Sequence, residues 1–461
     1  MYKYIRKKVL SLVHTFSLNG YNFAVDGNSG AIHMLDNISY DMLKGRDEFP
    51  SYEEIADNLK YKYSIDEIKE TYNELKELEN QGLLFTSLKE LEDSASHFIA
   101  KDSVKALCLH VSHDCNLRCE YCFASKGDYN TGRKLMSEEV AFKAVDYLVK
   151  NSTGRRNIEI DFFGGEPLLN FDVVKAIVNY GRSLEDKFNK KFYFTITTNG
   201  TLLDDEKIKF LNENMDNVVI SIDGRKEIHD EIRHYASGNG SYDKIVPLAK
   251  KLVEERNGKS YFIRGTFTNK NKDFSRDVFH LADLGFKEIS VEPVVGTGDE
   301  IYFDETDLQE ILDEYENLAK LYVERLKSGK PFRFYHFNLN LYNGPCLLKR
   351  ITACGAGYEY LAVSPEGDIY PCHQFVGQKE FIIGNINDGI TNVEIKDKFK
   401  NNNIFAKEEC KNCWAKLFCS GGCHANAYFT NKDISKPNEI ACILQKKRIE
   451  CAIMVQAALN E

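Results

Sequence analysis

Proline is scarce, with nine in 461 residues, and no low-complexity run interrupts the chain. That composition excludes long disordered linkers. No apolar stretch reaches the length a bilayer demands, so no membrane partner is expected. Positive charge is not in excess: 60 Lys and Arg against 70 Asp and Glu leave a formal net charge of -10. Duplex binding needs a basic face, which excludes nucleic acid as the default partner. The opening run MYKYIRKKVLSLVHTFSL lacks a small-residue cleavage site and reads as a tail leading into a strand, not as a signal peptide. One further absence matters most. Cys115, Cys119 and Cys122 stand together in VSHDCNLRCEYCFA, and no fourth cysteine follows nearby.

The chain is too long for one average domain and apolar enough (43%) for a sizeable core. Its thirteen cysteines are odd in number and fall in metal-ligand spacings. Reduced thiolates on metal in a cytoplasmic protein explain this better than a secreted disulfide framework.

Residues 1–95 read as strands, then helices. YNFAVD and AIHMLD alternate around the turn signal GNSG, Ser51 and Glu54 form a capping-box pattern, and a second helix spans Ser64 to about Gln81. With LLFTSL they resemble a small winged helix. Residues 105–300 alternate strand and helix, the strands being ALCLHVS, NIEIDFF, FYFTITT, NVVISID, YFIRGTFT and EISVEP. Six such units predict an α/β fold with a parallel sheet, either a partial (β/α)6 barrel or a doubly wound sheet. A helical connector, residues 301–345, leads into residues 346–461, which hold nine of the thirteen cysteines and little regular structure. Such a domain usually needs metal to hold it together.

The cysteine triplet directly follows a strand, where α/β active sites are built. Three thiolates can hold three irons of a cubane cluster and leave the fourth iron open, whereas zinc prefers four closed ligands. Cys115-x3-Cys119-x2-Cys122, with Tyr121 before the last cysteine, resembles the signature of the radical S-adenosylmethionine superfamily. The resemblance implies a SAM-binding 4Fe-4S cluster on these three catalytic cysteines, and a 5′-deoxyadenosyl radical. DFFGGEP resembles the family's motif for the methionine amino group, which implicates Gly164, Gly165, Glu166 and Pro167. By the same analogy Asn199 of TTNG and Ser221 of SIDG are candidates for the methionine or ribose. Arg233 is a candidate for the carboxylate, ahead of Arg264. Each of these also has a plain reading as a cap, turn or ion-pair residue.

Cys354-x12-Gly367-x4-Cys372 and Cys410-x2-Cys413-x5-Cys419-x3-Cys423, followed by Cys442, resemble the SPASM extension of peptide-modifying members. That resemblance implies two auxiliary 4Fe-4S clusters. Cys410, Cys413, Cys419 and Cys442 would close one. Cys354, Cys372 and Cys423 would hold the other, with Cys346 either its fourth ligand or absent from it, leaving an iron open to a peptide thiolate. Cys108 and Cys451 read as structural.

The segment Tyr52–Leu83 carries nine Asp or Glu against four Lys and no Arg, which disfavours phosphate contact. Many superfamily members carry a similar fused domain that binds a leader peptide by adding it as a strand. The whole ensemble resembles the maturases of six-cysteine SCIFF peptides. The resemblance implies a radical SAM oxidoreductase that joins a cysteine sulfur to a carbon, threonine being the expected acceptor, in a cysteine-rich precursor peptide. A ferredoxin or flavodoxin would supply electrons. Two other readings remain open. One is a sister activity, a formylglycine-forming sulfatase maturase or carbon–carbon cross-linker; the other is an iron–sulfur winged-helix regulator.

Overall fold

The computed structural model describes residues 12–96, 102–296, 301–339 and 347–460. The chain opens with an antiparallel sheet, β1 (Val13–Leu18), β2 (Tyr21–Asp26) and β3 (Ile32–Leu35), in that spatial order. Helices Asn37–Leu43, Tyr52–Leu59 and Ile65–Asn80 follow. Ser64 and Glu67 make the full reciprocal cap of the third helix, whereas Ser51 only accepts from the Glu54 amide.

The alternation of β1 and β2 supplies two buried faces. Val13 and Ala24 pack with Ile38, Met42, Ile55, Ile68 and Leu75 of the helices. Phe16, Leu18, Phe23 and Val25 pack with Leu444, Ile449 and Val455 of the C-terminal helix Glu439–Asn460. The LLFTSL segment does not join the sheet. Asp26 is buried at the hairpin turn and accepts from the amides of Asn28, Ser29 and Thr86, while Asn28 donates to the Thr86 carbonyl. The Asp26 and Asn28 side chains thus hold LLFTSL at the hairpin turn.

All six expected central strands form: β4 (Ala106–His113), then, after the short antiparallel β5 (Lys134–Leu135), β6 (Asn157–Gly164), β7 (Lys191–Thr198), β8 (Asn217–Ser221), β9 (Tyr261–Phe267) and β10 (Glu288–Pro293). Neighbours in this series run parallel, and β11 (Arg333–Phe334) extends it beyond β10. Amphipathic helices between them, among them Glu138–Asn151 and Phe171–Phe188, cover one face. Leu107, Leu109, Val111, Ile158, Ile160, Phe162, Phe194 and Ile196 make the core beneath those helices. The alternate residues of β4 and β6 lie on the opposite face.

The sheet does not close on itself. The free edge of β4 pairs in parallel with β12 (Tyr360–Val363), and β13 (Asp368–Tyr370), β14 (Gly384–Asn385) and β15 (Gly389–Ile390) continue it antiparallel. The fold is therefore α/β, with an open six-stranded partial barrel whose first strand is shared with the cysteine-rich C-terminal third. No helix among the described residues is long and apolar enough to cross a membrane.

Candidate active site

The loop after β4 carries the triplet. The register between β4 and β6 slips between His110 and Ser112, which brings Gly164 beside Ser112. Gly165 and Glu166 then donate their amides to the carbonyls of Ser112 and Asp114, both at 2.8 Å. A Cβ on Gly164 would lie 2.2 Å from the Ser112 carbonyl oxygen, and one on Gly165 2.3 Å from that of Asp114. Gly164 also holds a φ of +131°, which a side chain rarely tolerates. On the other side, a Cβ on Gly127 would meet that of Cys115 at 2.5 Å. Glycines thus form the cradle in which the cysteine loop lies.

Gly165→Ala should push the loop off its seat, since backbone is the obstacle. Overpacking of this kind costs about 1–3 kcal/mol, roughly a tenfold loss of S-adenosylmethionine affinity. Equilibrium binding to the reconstituted protein would measure it, and an unchanged affinity would refute the cradle.

Inside the loop, the Leu117 amide points at the Cys115 sulfur (3.4 Å), and Arg118 binds the carbonyls of Cys115 and Leu117. Burial pushes the Cys115 thiol up to about 12 and that of Cys119 to about 11, with the neighbouring thiols adding to it. Among the described residues no three His, Cys, Asp or Glu side chains converge on a single-ion site.

Glu166 is fully buried. One oxygen accepts from Leu168 N (3.0 Å) and Thr198 Oγ1 (2.7 Å), the other from Asn199 N (2.8 Å). Three of about four acceptor positions are thus taken, and one remains for a cation. Glu166 also caps the short helix that begins at Pro167. The Asn199 amide donates to Asn116 (3.0 Å) and lies 3.7 Å from the Cys115 sulfur. Its carbonyl accepts from the amide and hydroxyl of Thr201. Ser221 ends β8 in register with Arg264, whose own partner is Glu292 at 3.7 Å.

Tyr121 and Arg233 come together, although 112 positions apart. Arg233 donates to the Tyr121 hydroxyl at 2.6 Å, and that hydroxyl donates to Asp223 at 2.8 Å. Asp223 also accepts from the Thr266 amide. Burial lifts its carboxyl to about 6, against the pull of Arg233. The Nε of Arg233 is buried with no partner among the described residues. An orphaned guanidinium N–H beside the Cys119 thiol suits an anionic ligand. Sequence reasoning named Tyr121 and Arg233 separately. Asp223, which accepts from Tyr121, carried only the strand-end signal of SIDG.

The C-terminal thiols fall into two groups. Cys372, Cys354 and Cys423 feel one another's charge. Cys410, Cys413, Cys419 and Cys442 form the other and line a cavity of about 230 Å³. Cys346 lies outside the described residues. Lys407 was missed. It is buried, donates to the Gly421 carbonyl at 2.8 Å, and electrostatically faces Cys410, Cys419 and Cys442 of one group and Cys423 of the other. No local pattern marks it, since its neighbours arrive from four segments. The donor sets fit iron–sulfur clusters: soft sulfur only, in one group of four and two of three.

The comparisons agree with this chemistry. The description "Radical SAM superfamily" matches residues 109–278, and "Iron-sulfur cluster-binding domain" (SPASM) matches residues 354–414. A cysteine-type anaerobic sulfatase-maturating enzyme of Clostridium perfringens is 30% identical over 334 residues, covering 68% of this chain and 86% of that protein. The structure titled "Native anSMEcpe with bound AdoMet and Cp18Cys peptide" has a TM-score of 0.63 at 24% identity, covering 78% of this chain and 99% of the other. Streptococcus suis SuiB bound to precursor peptide SuiA has a TM-score of 0.51 at 16% identity, covering 93% of this chain and 98% of the other. The chain belongs to the radical S-adenosylmethionine superfamily as an enzyme with a SPASM domain, and its cofactors are S-adenosylmethionine and 4Fe-4S clusters.

Proposed function

We propose that this enzyme forms a thioether cross-link, from a cysteine sulfur to a carbon expected to be that of threonine, in a ribosomally made cysteine-rich precursor peptide. The observation that carries the reading is the N-terminal module. The outer edge of β3 has no strand partner among the described residues, and Met34 on it is 59% exposed. An extended leader can add there as a further strand. The likeness to SuiB, which its title describes as bound to a precursor peptide, extends over 93% of this chain, against 78% for the sulfatase-maturase structure. That added coverage supports a substrate delivered as a longer peptide. Residues 1–95 would be this leader-binding module, 105–300 the radical domain, 301–345 the connector and 346–461 the auxiliary-cluster domain.

In this reading Cys115, Cys119 and Cys122 hold the cluster that binds S-adenosylmethionine. Gly164, Gly165 and Pro167 shape the backbone beside it. Glu166 receives the methionine ammonium on its remaining acceptor position. Arg233 takes the carboxylate with its unpaired Nε–H, and Tyr121 and Asp223 hold that guanidinium in place. Asn199 and Ser221 flank the methionine and ribose. Cys410, Cys413, Cys419 and Cys442 hold one auxiliary cluster; Cys354, Cys372 and Cys423 hold the other, with Cys346 the candidate for its fourth position. When bound and reduced, these groups supply a carbon radical able to take hydrogen from a C–H bond, and a path for the surplus electron. A ferredoxin or flavodoxin is the proposed donor.

The second reading is a formylglycine-forming sulfatase maturase, which the Clostridium perfringens relative favours. Incubation of the reconstituted enzyme with a cysteine-rich precursor separates them by mass spectrometry. A thioether removes two hydrogen atoms and leaves the linked cysteine unreactive to alkylation. Formylglycine in its place would overturn the proposal.

A further inference from the structure

The sheet face turned toward the C-terminal third carries a carboxyl that forms no ion pair of its own among the described residues. Along β6, Ile158, Ile160 and Phe162 pack under the helices, so Asp161 and Phe163 lie on the opposite face. The Phe163 ring stands 5.0 Å from that of His373 and 6.3 Å from that of Phe123. Phe123 follows Cys122, and His373 follows Cys372. Phe163 therefore spans from the triplet to the Cys354, Cys372 and Cys423 group. Asp161 sits one step below it on the same face, between Cys108 of β4 and Thr195 of β7, its register partners.

The groups facing Asp161 are few. Cys108 and the Thr195 hydroxyl flank it, and Tyr360 of β12 lies near Cys108 with its hydroxyl 3.0 Å from His373 Nδ1. Glu159, two residues away, repels its charge, and Lys105 attracts it but is bound to Glu159 at 2.8 Å. Burial is the first cause that raises the Asp161 carboxyl to about 7, and Glu159 adds to it. The contrast with Glu292 is instructive. That carboxyl lies on β10, and His336, Arg264 and Arg448 hold it below its usual range against the effect of burial.

A peptide cysteine has to lose its thiol proton before its sulfur can bind soft iron or form a bond to carbon. The acceptor must stand close to the sulfur and change protonation near the working pH. We propose that Asp161 is that acceptor: it takes the proton from the substrate cysteine held between the triplet and the Cys372 group. The thiol becomes a thiolate and the carboxylate a carboxylic acid; one proton moves and no electron. This inference rests on the peptide-thiol reading above. It assigns to Asp161 nothing in the cleavage of S-adenosylmethionine.

The test uses the reconstituted full-length enzyme with its precursor peptide and dithionite. Asp161→Asn should retain full iron content and form 5′-deoxyadenosine at the wild-type rate. Cross-linked peptide should fall about 100-fold, the scale of a lost general base. Asp161→Glu should restore part of that product, with the acid limb of its pH profile displaced from that of the wild type. A readout independent of turnover is proton release on peptide binding, measured in two buffers of different ionisation enthalpy. It should change between wild type and Asp161→Asn for the cysteine peptide and not for a serine-substituted one. Wild-type cross-linking by Asp161→Asn would overturn the inference. If that variant loses iron, an unmoved acid limb in Asp161→Glu would overturn it equally. Formylglycine from the wild-type enzyme would instead overturn the thioether reading, which keeps the two failures apart.

Discussion

Replacing Cys115, Cys119 and Cys122 together by alanine should abolish 5′-deoxyadenosine formation and leave peptide binding intact. Iron should fall from about twelve to about eight per chain, because one cubane of three is lost. The argument is local. These thiols are carried by one loop whose own contacts, Asn199 to Asn116 and Arg118 to the Cys115 carbonyl, involve no iron ligand of the C-terminal third. Burial raises the Cys115 thiol to about 12 and the Cys119 thiol to about 11, so the charge of iron is what makes them ligands. Removing them takes away the metal and the Cys119 sulfur beside Arg233, while the core under the helices stays untouched. Iron counting and a single-turnover assay with dithionite check both halves. Retained cleavage, or twelve irons in the variant, would exclude the assignment.

How far the sequence reaches depends on the range of the interaction that fixes each feature. The six parallel strands were legible because each is an apolar run followed by an amphipathic helix, and those patterns are local. Glu166 was legible as a strand-end carboxylate, and the structure places it among Thr198, Asn199 and the cysteine loop. The partition of seven C-terminal cysteines into three and four came from resemblance to a known pattern, and the thiols group in that way.

What escaped is long-range. Tyr121 meets Asp223 and Arg233, both more than a hundred residues away, only after the strands have aligned. Lys407 meets its cysteines from several separate segments. LLFTSL has strand composition, yet Asp26 and Asn28 hold its backbone from a turn some sixty residues earlier, and composition does not encode that competition. The sequence favours Arg233 over Arg264 on slight grounds, and the fold gives each its partner, Tyr121 for Arg233 and Glu292 for Arg264.

The largest effect expected away from the clusters is that of Gly27→Ala, which should lift the N-terminal module off the site of Cys410, Cys413, Cys419 and Cys442. Gly27 lies in the turn after β2, against the loop that runs from Cys413 to Cys419. A Cβ there would stand 2.6 Å from Trp414 Cα and 2.9 Å from its carbonyl oxygen. The obstacle is backbone, so no rotamer relieves it. Around that contact the seat is dense. Trp414, the one tryptophan of the chain, stacks on His14 at 4.2 Å, and His14 binds Glu450 at 2.7 Å. The buried Lys416 ammonium donates to Asn28 at 2.6 Å. Moving the turn breaks that bond and leaves the ammonium only the Lys411 carbonyl at 3.2 Å, which adds about 1–3 kcal/mol to an overpacking cost of similar size. The module's own core of Ile38, Met42, Ile55 and Ile68 does not touch the seat, so it should stay folded and keep its affinity for a leader peptide. If residues 1–95 bind the leader as proposed, precursor turnover should nevertheless fall at least tenfold, because a leader held by an undocked module no longer concentrates the core peptide at the radical centre. The coupling also runs the other way. Hydrogen exchange should rise together in Asp26–Gly30 and in Cys413–Cys419, and a chelator that strips iron from the wild-type protein should raise it in the same two segments. Wild-type exchange in both segments of the Gly27→Ala protein would show that the module is held elsewhere.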